Sequence, residues 1–286
     1  MPKLNKADIR LITNVVKQRK NKVKFGKAWQ AIFDEFNVGE VRAEGSQQWL
    51  CFDLVARDEL QQLCESDTGV SPSFGLPKGI RTDVAGIAID EKISTESIQQ
   101  NRIYCSATAY PIYIAGDEVC LPAKSSLWVD FNDISIGKYT RVVVVENLEA
   151  FVLWGQFNLS EQLGSSLVVY RGHDVTAKAV ISFLNILPIG IDVTVFSDPD
   201  PAGLGIIMST PKVTSALVPV SIEGFKKLSH KERFGAQLAT MPNVKEKSLL
   251  FSEQFQKYAN TIIKLGIAVN QERLCNEKWP LVLINV

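Results

Sequence analysis

Three carboxylates in the second half of the chain have the residue type and spacing for divalent-cation chemistry. Glu146 closes the valine run of VVVVEN, and Asp198 and Asp200 close IDVTVFSDPD. In an extended turn, residues i and i+2 can face the same way, so the two aspartates can offer both carboxylates to one oxygen-seeking cation. A third carboxylate from the end of another strand completes a hard-oxygen set suited to Mg2+ or Mn2+ rather than zinc. Such a set serves phosphodiester cleavage, in which one or two cations deprotonate a water and stabilise the developing negative charge. Each acid alone has a plainer reading: a glutamate after valines is a surface carboxylate, and D-P-D-P is a turn that caps a helix. The argument for a site is the conjunction, in order, of the strand glutamate, a glycine after the next strand at Gly172, and the Asp-x-Asp-x-x-Gly run ending at Gly203. His173 can touch a phosphate or a metal, although a single histidine at a strand end is ordinarily structural.

These acids need a frame that brings them together. After Tyr139 the sequence alternates RVVVVEN, LEAFVLW, LVVYRGH, DVTAKAVISFLNIL, IDVTVFSDPD, PAGLGIIMS and ALVPVSI. Strand alternating with helix predicts an α/β fold with a parallel sheet flanked by helices, and consecutive apolar positions fit strands covered on both faces. Asp174 is expected to cap one helix, and Asp200 with Pro201 to start another. Glu146, Asp198 and Asp200 then sit at the carboxyl ends of parallel strands, where open α/β sheets build their sites.

The first part of the chain reads differently. Helices are expected over Lys6–Val16 and Lys27–Phe36, a wing strand in WLCFDLV, and a further helix in RDELQQLCES; together they suggest a winged-helix or helix-turn-helix module over residues 1–72. Lys17, Arg19, Lys20, Lys22 and Lys24 form a basic stretch able to meet a DNA backbone or, equally, to remain a solvated face. A linking α+β region is expected over 73–138 and the α/β domain with a C-terminal helical extension over 139–286. The formal net charge is zero, with 31 Lys and Arg against 31 Asp and Glu, so any phosphate-binding footprint must lie in local charge rather than the sum. The five cysteines are scattered without a C-x-x-C pair, which argues against a disulfide framework and a thiolate zinc site. The longest apolar stretch is broken by polar residues and Pro188, so no membrane span is expected; the charged N-terminus does not read as a secretory signal, and a cytoplasmic chain is expected.

VVVVEN, YRGH around Gly172 and FSDPDPAGL resemble the Toprim domain of topoisomerases, primases and several nucleases. The pattern is most similar to the branch holding the topoisomerase VI A subunit and the nuclease subunit of Wadjet plasmid-defence systems (JetD or MksG). Glu146-Asn147 followed by Phe151 resembles the E-N…F pattern of that subunit. Gln271-Glu272-Arg273 resembles its E-Q-E-R, with Asn270 in place of the first acid, and Asp90-Glu91-Lys92 resembles its N-E-K. The resemblance runs from about Ile80 onward and is strong between Val142 and Leu204. It implies a homodimeric, Mg2+- or Mn2+-dependent nuclease that cuts double-stranded plasmid DNA beside an SMC-like, kleisin-containing motor complex. Glu146, Asp198 and Asp200 would be metal ligands and catalytic residues, supported by Asn147, Gly172, His173 and Glu272. Two rivals stand beside it. A topoisomerase VI A-type protein would need a catalytic tyrosine in its first module, but Tyr104, Tyr110, Tyr113, Tyr139, Tyr170 and Tyr258 all lie beyond it. A non-catalytic DNA-binding or assembly subunit would use its carboxylates only structurally.

Overall fold

The computed structural model describes all residues except 1, 2, 107–110, 160–162, 164, 238 and 240, so Tyr110 lies outside the described residues. The chain forms two compact units, Met1–Ile98 and Gln99–Val286.

In the first unit the order is α1 (Lys6–Lys17), β1 (Lys22–Lys24), α2 (Lys27–Phe36), β2 (Glu40–Glu44), β3 (Gln47–Cys51), α3 (Leu54–Thr68) and the short α4 (Arg81–Val84). Asn5 and Asp8 close a capping box at the start of α1, whose Ile9, Ile12 and Val15 are fully buried. Asp53 caps α3 by accepting from the Ala56 amide at 2.7 Å. The strands pair antiparallel in the order β1-β3-β2. The three expected helices are therefore present, and the strand expected in WLCFDLV ends at Cys51, with Leu54 and Val55 already in α3. Asp90, Glu91 and Lys92 belong to this unit, where Asp90 caps a single 3-10 turn.

The second unit is a mixed α/β body around a seven-stranded sheet. In chain order it contains β4 (Arg102–Ser106), β5 (Ile112–Ile114), β6 (Asp117–Val119), β7 (Leu127–Asp130), β8 (Arg141–Val145), α5 (Leu148–Val152), β9 (Ser166–Tyr170), α6 (Asp174–Ile186) and β10 (Asp192–Phe196). It continues with α7 (Pro201–Ser209), β11 (Val213–Pro219), α8 (Lys231–Ala236), α9 (Met241–Ser248), α10 (Glu253–Leu265), α11 (Gln271–Asn276) and β12 (Leu281–Asn285). The sheet order is β12-β11-β10-β8-β9-β4-β7. Its centre, β11-β10-β8-β9, is parallel; β12 runs antiparallel to β11 at one edge, and at the other β4 runs antiparallel to both β9 and β7. Val142 to Val145 and Val193, Val195 and Phe196 are at most 1% exposed, as parallel strands covered on both faces must be. Thr194, fully buried in β10, pairs its hydroxyl with that of Ser215 on β11 at 2.7 Å.

Two expectations need adjustment. The units divide at residue 98, inside the stretch 73–138 expected to link them; its later part supplies β4 and β7 to the large sheet, and β5 and β6 form a separate two-stranded ribbon. Asp174 does not cap α6: His173 is the N-cap, without a side-chain bond, and Asp174 is the first helical residue at φ 48°. Asp200 does cap α7, with Pro201 following, as the sequence implied. Among the described residues no helix is long and apolar enough to cross a membrane.

Candidate functional site

The topology creates a crevice where the acids lie. The chain leaves β8 through α5 to β9 on one side, and leaves β10 through α7 to β11 on the other, although β8 and β10 are neighbours. Such a switch point opens a cleft at the carboxyl ends of the two strands. Glu146 follows β8 directly, its amide bonded to the Phe196 carbonyl at 3.0 Å. Its Oε2 accepts from the Asp198 amide at 3.1 Å. The glutamate from one strand end thus meets the Asp-x-Asp turn from the next.

Gly203 allows that turn to pack on α7. A Cβ there would lie 2.0 Å from the Asp198 carbonyl oxygen. In its absence the Gly203 amide donates to Asp200 Oδ1 at 2.7 Å, and Ser197 Oγ donates to the Gly203 carbonyl at 3.1 Å. Gly172 is also demanded by geometry, with φ 71° and a would-be Cβ 2.5 Å from the Thr176 side chain.

A third segment completes the cleft wall. The Gln271 amide donates to Asp198 Oδ1 at 2.8 Å, while Gln271 Oε1 accepts from the Asn147 amide at 3.0 Å. Asn147 caps α5 through the Ala150 amide and donates from Nδ2 to Glu272 Oε1 at 2.8 Å. Glu272 Oε2 is buried without a hydrogen-bond partner. Glu146, Asn147, Glu149, Tyr170, His173, Asp198 and Glu272 share one pocket of about 590 Å3 with Leu148 and Val152. Arg273, by contrast, pairs with Glu277 at 3.0 Å on an exposed face.

The electrostatics follow from crowding acids in a partly buried cleft. Burial first, and the charge of Asp198 second, push the Glu146 carboxyl up to about 7. Asp198 is also raised, by burial, against the opposing pull of its bond to Arg233. Arg233, on α8, was not foreseen as a site residue: its Nη2 lies 2.5 Å from Asp198 Oδ2 and 2.7 Å from Asp200 Oδ2, and its Nη1 bonds Asn270 Oδ1. Gln237 adds a bond from Nε2 to Asp200 Oδ2 at 3.0 Å. Asp200 is fully buried, and Gly203, Gln237 and Arg233 all donate to it. Among the described residues no three His, Cys, Asp or Glu side chains converge as a preformed metal cage. Of the acids, Glu146, Asp198 and Glu272 line the pocket, and Glu272 Oε2 is a buried acceptor that a hard cation could satisfy.

The basic residues singled out in the sequence lie in the first unit. Lys17, Arg19, Lys22 and Lys24 are exposed and Lys20 is half-buried. Lys17 donates to the Phe74 carbonyl, and Lys22 pairs with Glu44 at 2.6 Å and lies over the Trp49 ring.

The second unit therefore belongs to the class of α/β domains with an acidic cleft at the switch point of a mixed sheet. Residues 100–283 match the family described as a domain of unknown function, DUF7281, and the chain belongs to that family. No curated protein matches the sequence.

Proposed function

We propose that this chain is a divalent-metal-dependent DNA endonuclease whose second unit is a Toprim-type catalytic domain. The observation that carries the reading is the 3.1 Å bond from the Asp198 amide to Glu146, which brings the acids of two neighbouring strand ends into one cleft. A Mg2+ or Mn2+ ion bound there would supply Lewis-acid charge and an activated water. Glu146 and Asp198 would hold it from the two strand ends, with Glu272 offering its unpartnered oxygen and Asp200 completing the set. Asn147 orients Glu272, and Gln271 orients Asp198 through its amide. His173 and Tyr170 line the same pocket, where a phosphate or its sugar would lie. Gly172 lets the chain turn from β9 into α6 beside it.

The wider reading rests on the resemblance in the residues around Glu146, Asp198 and Gln271. In it the protein is the homodimeric nuclease subunit of an SMC-like, kleisin-containing plasmid-defence complex in the cytoplasm, cutting double-stranded plasmid DNA. The first unit is then a winged-helix-like module that contacts DNA or a partner subunit through Lys17, Arg19, Lys20, Lys22 and Lys24. A topoisomerase VI A-type tyrosine attack has less support, since all six tyrosines lie beyond residue 98. The phenol of Tyr258 is raised by burial and then by the charges of Asp200 and Asp198, so it stays protonated. A non-catalytic assembly role is favoured by one observation, the engagement of the buried Asp200 by three protein donors, Gly203, Gln237 and Arg233.

Supercoiled plasmid incubated with the protein and Mn2+, alone and with a reconstituted partner complex, tests the proposal. Nicked or linear product should form, none should carry covalently bound protein after denaturation, and Glu146→Ala and Asp198→Ala should reduce cutting to background. Normal cutting by either variant would refute the site assignment, and absence of cutting even with the partner complex would favour the assembly role.

A further inference from the structure

We propose that Arg233 is the resident counter-cation of the Asp198–Asp200 pair, and that a divalent ion enters the pair by displacing it. The inference rests on the metal site proposed above and concerns how that site is filled. Arg233 Nη2 bridges one oxygen of each aspartate, at 2.5 Å and 2.7 Å. A cation ligated by the same two oxygens, at the roughly 2.0–2.1 Å usual for Mg2+, would need the space and the lone pairs that the guanidinium now uses. The remaining oxygens are already engaged as well: Asp198 Oδ1 accepts from the Gln271 amide and Asp200 Oδ1 from the Gly203 amide. The two positive groups therefore exclude each other at the pair.

The element that carries Arg233 is built to let go. α8 has no buried residue, so little apolar surface holds it in position. Its entry is pinned elsewhere: the His230 amide donates to the Ala268 carbonyl at 3.0 Å, and Ser229 Oγ donates to the Gly266 carbonyl at 2.7 Å. At the cleft its side-chain hold on the aspartates consists of polar groups, with Arg233 on both and Gln237, at its C-terminal cap, on Asp200. Breaking these ion pairs would leave two buried aspartates uncompensated unless another cation took over their charge, so release of the arginine is coupled to entry of the metal. Withdrawal of α8 would free both aspartates while the Ser229–His230 attachment keeps the helix tethered.

The test is calorimetric titration of Mn2+ into the metal-free full-length chain, without DNA, comparing wild type with Arg233→Gln and Arg233→Lys. Arg233→Gln, which removes the competing charge, should bind Mn2+ at least about tenfold more tightly, the scale on which a neighbouring opposite charge alters occupancy of a carboxylate. Arg233→Lys, which keeps the charge, should remain near wild type. A purely structural arginine predicts the reverse, because its loss would disorder the aspartates, so equal or weaker binding by Arg233→Gln overturns the proposal. Should that variant fail to fold, trypsin digestion of wild type decides instead: Mn2+ should accelerate cleavage at Lys231 and Arg233, and protection overturns the idea. Tighter Mn2+ binding in a protein that never cuts DNA would sink the endonuclease reading and leave this inference standing.

Discussion

Replacing Glu146 with glutamine should stabilise the metal-free protein above neutral pH, because the wild-type carboxylate is ionised there in a place that opposes its charge. Glutamine keeps an oxygen able to accept from the Asp198 amide, so the bond between the strand ends survives. In the unfolded chain the carboxyl titrates near its ordinary 4.5, and in the native cleft at about 7, raised by burial and then by Asp198. A carboxyl raised on folding contributes no penalty below the lower value, where both states are protonated. Between the two values the native state binds more protons, so stability falls as pH rises, and above about 7 the full penalty is present. The gap of about 2.5 pH units at ~1.36 kcal/mol each sets an upper bound of ~3.4 kcal/mol. Glu146 lines an open pocket and is only half-buried, so water screens part of this and a gain of roughly 1–2 kcal/mol is expected. Urea unfolding in EDTA at pH 8 and pH 4 reads the difference as a shift of midpoint. The variant should be more stable at pH 8 and indistinguishable at pH 4. Equal stability at pH 8, or a gap that persists unchanged at pH 4, would refute the claim that crowded acids strain the cleft. Adding Mn2+ at a hundred times its dissociation constant should stabilise wild type by about 2.7 kcal/mol and leave Glu146→Gln nearly unmoved.

Two glycines in α7 should respond oppositely to alanine. At Gly203 the new Cβ meets the Asp198 carbonyl oxygen at 2.0 Å, and the forced backbone shift should lower stability by at least ~2 kcal/mol in thermal unfolding. At Gly205 nothing lies within 4 Å, so alanine should raise stability by roughly 0.5–1 kcal/mol through helix propensity alone. Asn147→Ala should lose the cap on α5 and the hold on Glu272 together, lowering stability by about 1–2 kcal/mol; an unchanged melting temperature would show that water replaces both.

What the sequence revealed and what it hid divide along the range of the interactions involved. The strand runs that became β8, β9, β10 and β11 were legible because each is a short apolar stretch bounded by turn residues, and the start of α7 because Asp200 and Pro201 carry their own chemistry. α6 misled because an acid followed by a helical run reads as a cap, whereas the chain has already turned at Gly172 and begins the helix one residue early. The sheet to which the antiparallel edge strands belong was hidden for a different reason. β4 pairs with β9 some sixty residues on, and nothing in RIYCS specifies that partner. A strand's period announces its faces and leaves its neighbour to tertiary packing.

Arg233 belongs to the same hidden category, and its concealment is instructive about the cleft. A short helix of charged and small residues following a loop reads as surface, and only the folded cleft shows why a guanidinium is needed there. The fold draws Asp198 and Asp200 to the crevice between β8 and β10, and the pair, with Glu146 beside it, cannot remain uncompensated. Local sequence could supply the acids and the turn that aims them, because strand ends and helix caps are local devices. The compensating charge had only to reach the site from somewhere on the surface, so no spacing rule ties it to the motif. A search for acids in sequence thus finds the half of the site that the backbone positions. The other half is found by asking what neutralises those acids when the cleft is closed, and here the answer is a side chain on an element with little else to hold it.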